Sequence, residues 1–204
     1  MGVVKLSTAG ILNFQKYSSM RAGIPLPFLT DFDLLETQVL ASSAASVTFS
    51  SLSTYAADYQ HLQIRMTSRS ARNTGSNDAF LVRLNADTGS SYAWHTLYGT
   101  GSSVASTAGT SQTSGRLGAT LQQNSTADAF GAAVIDLLDV FESTKNTTIK
   151  SLAGFTAPTG GHEIALSSVL WNNTNALTTI QVYAASADLL TGTRVSLYGL
   201  KAGA

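Results

Sequence analysis

From Asp33 onward the chain alternates apolar and polar residues with a period of two, over short runs separated by turn residues. The run HLQIRMTSR places Leu62, Ile64 and Met66 on one face and Gln63, Arg65 and Thr67 on the other. AFLVRLNA repeats the pattern, with Phe80, Val82 and Leu84 inward and Arg83 and Asn85 outward. A pleated strand turns successive side chains to opposite faces, so this spacing predicts half-buried strands. DLLETQVL and SVTFS read as a first hairpin-like pair joined by the small residues Ala41–Ala45. AWHTLYG follows the turn NADTGSS, whose Asp-Thr-Gly suits a tight reversal.

Further on the pattern blurs. Gly99–Gly118 is rich in Gly, Ser, Thr and Ala, and reads as a long surface loop, with or without a weak edge strand. AFGAAVIDLLDVF is apolar enough for a helix, yet Phe130, Ala132, Val134 and Asp136 fit a strand, and the polar turn ESTKNT follows directly. A strand is the better reading. TIKSLAGFTA, EIALSSVLWNN, TTIQVYAA and TRVSLYGLK complete about ten short strands. No helical pattern of useful length intervenes, which excludes alternating α/β classes. No repeat of fixed period is present, which argues against propellers and solenoids. The expected fold is all-β: an antiparallel two-sheet β-sandwich of jelly-roll type over residues 33–204.

Residues 1–32 differ. Lys5, Lys16 and Arg21 are the only charges before Asp31, and Pro25 and Pro27 close the segment. Ile11, Leu12, Phe14, Tyr17, Met20, Ile24, Leu26, Phe28 and Leu29 are a heavy apolar load for a free tail. The segment reads as an extended N-terminal arm, with one turn of helix around Tyr17–Ala22, that docks on a partner. Lys16, Tyr17, Met20, Arg21, Ile24 and Phe28 are its expected docking residues.

Composition narrows the function. Charged residues are 12% of the 204, about half the share of an ordinary soluble domain, and Ser and Thr fill about a quarter of the positions. Twelve basic and twelve acidic residues cancel. Such a surface repels its own copies little, which suits assembly, and it lacks the clustered basic footprint of nucleic-acid binding. The absence of cysteine removes disulfide, zinc-thiolate and thiol chemistry. No apolar run of secretion-signal length follows Lys5, and none approaches the ~20 residues of a membrane helix.

Candidate chemistry is sparse. His61, His95 and His162 belong to no metal-binding or catalytic spacing, and no G-x-S-x-G elbow activates a serine. Asp136 and Asp139 would face opposite sides of a strand, which spoils a glycosidase pair. The loops Asn73–Asp78 and Asn85–Ser91 each hold one acid, Asp78 or Asp87, too few for a calcium cage. Neither loop precedes a helix, as a phosphate cradle requires. Tyr92, Trp94 and Tyr183 are the candidates for sugar stacking, within an aromatic set most of which is expected in the core. The expectation is a protein that is not an enzyme and needs no cofactor or metal.

HLQIR, SNDAFLVRLNADTGSSYAWHTLYG, STADAFGAAVIDLLDV, ALSSVLWNNTNALTTIQVYA and SLYGLK together resemble a family of small virion proteins of tailed bacteriophages from aquatic bacteria, cyanophages among them. The similarity runs from about Asp33 to Lys201 and rests on framework motifs. The resemblance implies a β-sandwich that assembles as a trimer on the head or the tail of a particle, and it transfers no catalytic residue. The expected role is therefore a capsid decoration or cement protein, held to capsid or tail proteins by its arm, made in the host cytoplasm and released by lysis. The alternative is a tail-attached fibre or receptor-binding module that contacts a host surface glycan through Tyr92, Trp94 and the loops around Asn73–Asp78 and Ser102–Thr113. Neither reading involves nucleic acid or a membrane.

Overall fold

A computed structural model describes residues 32–159 and 161–201. The expected docking residues Lys16, Tyr17, Met20, Arg21, Ile24 and Phe28 lie outside them. The chain is all-β. Its twelve strands are β1 (Phe32–Val39), β2 (Val47–Phe49), β3 (His61–Ser70), β4 (Asp78–Leu84), β5 (Tyr92–Gly99), β6 (Val104–Gln112), β7 (Gly115–Gln122), β8 (Gly131–Leu138), β9 (Thr147–Ala157), β10 (Gly161–Trp171), β11 (Ile180–Ala184) and β12 (Arg194–Leu200). One 3-10 turn, Leu52–Tyr55, is the only helical element among the described residues.

The ladders join all twelve strands in one hydrogen-bonded network. Eight strands run β1-β12-β3-β8-β9-β10-β5-β6, and four run β2-β11-β4-β7. Every pairing is antiparallel except the junction between the two stretches, where Arg69 and Ser70 of β3 pair in parallel with Leu121 and Gln122 of β7. The expected first hairpin does not form. β1 pairs with β12 and β2 with β11, because ladder partners are chosen by the whole topology and not by nearness in sequence. Phe32, the last residue of the expected arm, already belongs to β1.

The core gathers where inward parities meet. Leu62, Ile64 and Met66 of β3 and Phe80, Val82 and Leu84 of β4 are all buried, as their alternation predicts. The segment Gly131–Leu138 is a strand, with Ala133, Ile135 and Leu137 inward and Ala132, Val134 and Leu138 exposed. Gly99–Gly118 holds more than a loop: it contains the edge strand β6 and the start of β7. β7 escaped the periodicity because nearly every residue in it is buried on both sides.

β7 also sets the spacing of the core, since it lies close against β9 and β10. A Cβ on Gly115 would sit 2.5 Å from Val169 Cγ1, and one on Gly118 would sit 2.8 Å from Ala153 Cβ. Gly118 further adopts φ +125°, a conformation that disfavours any side chain. Ser151 Oγ donates to the Leu117 carbonyl. The inward residues of β9 and β10 opposite β7 are correspondingly small: Ser151, Ala153, Ala165 and Ser167, all buried.

Candidate docking face

On the opposite parity, β8, β9, β10 and β5 turn a second set of large apolar residues out. Val134 pairs across the ladder with Leu152, Leu152 with Leu166, and Leu166 with Leu97. The four make one row across four adjacent strands. Leu152 and Leu166 are 53% and 52% exposed, and their neighbours Ile164 and Val104 reach 62% and 76%. Scattered exposed leucines are ordinary, but a contiguous patch of them marks a surface that something covers.

The patch is concave on one side. A shallow groove of about 530 Å³ is lined by Ala132, Gly154, Val134, Leu152 and Ile164, together with Arg65, Arg194 and Tyr198. Beside Tyr198 lies Phe32, the first residue of β1. The Phe32 and Tyr198 rings stack at 4.7 Å, and the Arg65 guanidinium lies 4.9 Å from the first and 5.3 Å from the second. The cation over two ring faces fixes this edge of the patch.

The sequence-derived aromatic candidates do not gather. Tyr92 is a core residue at 1% exposure, and its hydroxyl oxygen accepts the Leu84 N–H at 2.8 Å. It presents no face to a sugar, which corrects the expectation of a ligand-binding role. Burial pushes its hydroxyl pKa up to about 12. Trp94 is half-buried, with its indole against Gly109 and the Arg116 guanidinium 5.6 Å from its ring. Tyr183 is half-buried on the outward parity of β11, under Arg83 at 5.1 Å.

The titratable groups are held in structural contacts. Asp139 receives hydrogen bonds from Lys145 and Gln60, and Lys145 foremost holds its carboxyl below the ordinary range. His61 Nδ1 accepts the Asp139 backbone N–H at 2.9 Å. Asp136 points outward and accepts from Gln63 at 2.7 Å, so it shares no site with Asp139. Asp78 is fully buried and accepts from Ser70 at 2.7 Å. Asp87 accepts the Trp171 indole N–H at 2.7 Å, and that bond is the main reason its pKa is lowered. Glu163 is buried beside Asn77, and desolvation raises its pKa.

A second, polar pocket of about 550 Å³ lies between Ala56–Gln60, Phe141, Glu142 and Lys201. No histidine lines it. Tyr59 donates to Asp33 at 3.0 Å, and burial foremost lifts its hydroxyl pKa to about 12, so it offers no base near neutral pH. Among the described residues no three His, Cys, Asp or Glu side chains gather as metal ligands, and no helix is long and apolar enough to cross a membrane.

No protein-family model matches the chain, and no curated protein does. The outward residues Leu97, Val134, Leu152, Ile164 and Leu166 were not singled out by sequence reasoning. The signal was present: VIDLL and IALSSVLW are apolar on both parities, which is how strands covered on both faces read.

Proposed function

We propose that the protein is a non-enzymatic structural component of a bacteriophage particle, a capsid decoration or cement protein that residues 1–32 anchor to its surface. The observation that carries this reading is the apolar row Val134, Leu152, Leu166 and Leu97 in a chain with few charges. Such a surface belongs to a protein that works assembled. The resemblance of its framework motifs to those of small phage virion proteins points to the kind of assembly, and the apolar residues from Ile11 to Leu29 would supply its anchor. The partners are then capsid or tail proteins and further copies of the chain, as a trimer on the family resemblance.

We read the strand network in the same way, as a jelly-roll-type sandwich in which β2-β11-β4-β7 lies over the larger stretch. The close approach of Gly118 to Ala153 supports that reading. The test is a chain lacking residues 1–28, produced during phage infection. It is expected to fold, as judged by its circular dichroism and cooperative melting, and to be missing from purified particles. A folded truncation that still enters particles at the level of the full chain overturns the proposal.

A further inference from the structure

The outer face of β8, β9, β10 and β5 carries a pattern that matches itself. Four ladder rows cross it. The first runs Arg65, Val134, Leu152, Leu166, Leu97, Ser106, and the second Thr67, Ala132, Gly154, Ile164, Gly99, Val104. The third runs Gln63, Asp136, Lys150, Ser168, His95, Ala108, and the fourth Leu138, Thr148, Leu170, Ala93. The apolar residues of the first row are centred between β9 and β10.

We propose that this face is a self-association surface, covered by the same face of a second copy about a two-fold axis running along the strands between β9 and β10. That operation places each row over itself in reverse. Leu152 then meets Leu166 of the second copy, and Val134 meets its Leu97. The bulky Ile164 meets Gly154, which lines the groove, so a large side chain faces a residue that has none. Leu138 meets Ala93 and Thr148 meets Leu170, again large against small. Charges fall without conflict: Arg65 lies over Ser106, Lys150 over Ser168, and Asp136 over His95. An isologous contact needs this kind of self-complementarity, since the same patch must serve both partners.

The size is adequate. Six strands about 4.8 Å apart and four rows about 7 Å apart make a face of roughly 600 Å² per copy. The pair would bury about 1,200 Å², the lower end of the range for a specific protein–protein interface. Face-to-face packing of twisted sheets is an ordinary arrangement, with apolar side chains interdigitating between them. This inference goes beyond the anchoring role of residues 1–32 and stands whether or not the assembly is carried on a phage.

Light scattering on the full chain at submillimolar concentration tests it. An even number of chains is expected: two, or six where trimers of the kind the resemblance implies pair through this face. The double substitution Leu152→Lys/Leu166→Lys should halve the mass while leaving the far-ultraviolet dichroism unchanged. Leu152→Thr/Leu166→Thr, which keeps strand propensity, should raise the dissociation constant at least tenfold and guards against misfolding of the lysine variant. A full chain that is monomeric or has an odd number of copies overturns the proposal, and so does a mass that neither double variant changes. A monomeric full chain that dimerises once residues 1–31 are removed also overturns it, by identifying those residues as what covers the face. Particle incorporation is a separate measurement, so failure of the virion reading would not alter these results.

Discussion

Two outward surfaces of this protein obey the same alternation and carry opposite chemistry. On β4 and β11, Val82 and Val182 point inward while Arg83, Gln181 and Tyr183 point out, with Arg83 lying over the Tyr183 ring. That is an ordinary solvated sheet face. On β9 and β10 the inward residues include Ser151, Ala153, Ala165 and Ser167, while Leu152, Ile164, Leu166 and Leu170 point out. Local strand geometry is the same in both. The difference lies in β7, whose backbone at Gly118 comes so close to Ala153 and Ala165 that only small side chains fit there. Leu152, Ile164, Leu166 and Leu170 stand on the other parity, where a second layer has yet to be supplied.

The sharpest test of that contrast uses neighbouring leucines on β8. Leu137 is buried and Leu138 is 37% exposed. Leu137→Ala should destabilise the fold by about 2–5 kcal/mol, from lost burial plus the cavity left behind. Leu138→Ala should cost less than about 1 kcal/mol in the monomer. Urea unfolding of both variants decides the matter, and equal costs would mean that the outer face is already covered within one chain.

A smaller effect is expected at Asp87, which ties the turn before β5 to the buried Trp171. Asp87→Ala leaves the indole N–H without its charged acceptor and should cost about 1.5–3 kcal/mol at neutral pH. Because the folded carboxyl titrates below its ordinary value, its stabilisation is present above the unfolded pKa. It is lost as the pH falls through the folded one. The gap in melting temperature between the variant and the native chain should therefore narrow on strong acidification. A gap constant with pH would show that the hydrogen bond does not depend on the charge.

Gly115→Ala probes β7 itself. The new methyl would strike Val169 and should cost about 1–3 kcal/mol, read as a lowered urea midpoint. A neutral outcome would mean that β7 can move off β10, and the account of why the apolar residues face outward would fail with it.

The least effect is expected at Glu163, where β10 turns a carboxylate inward beside the outward Ile164. Burial raises its folded pKa above the unfolded value, so the stability it contributes is full below the unfolded pKa and declines as the pH rises through the folded one. Glu163→Gln keeps an acceptor for Asn77 and removes the charge. It should raise the melting temperature at pH 7, with the gain disappearing below about pH 4. A lower melting temperature at pH 7 would show that attraction to Arg116 outweighs the desolvation.

Much of the fold was legible because alternation is a local property. The strand class, the inward faces of β3 and β4, and the strand nature of Gly131–Leu138 all follow from side chains that turn to opposite sides of a pleat. Tyr183 lies on the outward parity of β11, half-buried. Tyr92 lies in the core, because an aromatic residue beside a turn is equally able to face inward, and the local sequence does not show what closes over it. Ladder partners were beyond reach as well, since β1 meets β12 only when the chain has closed on itself. The sequence by itself determined the period, the turns and the scarcity of charge. The tertiary structure alone decided which parity of β9 and β10 would be inside. Alternation offers two faces to every strand, and only the approach of β7 selects between them.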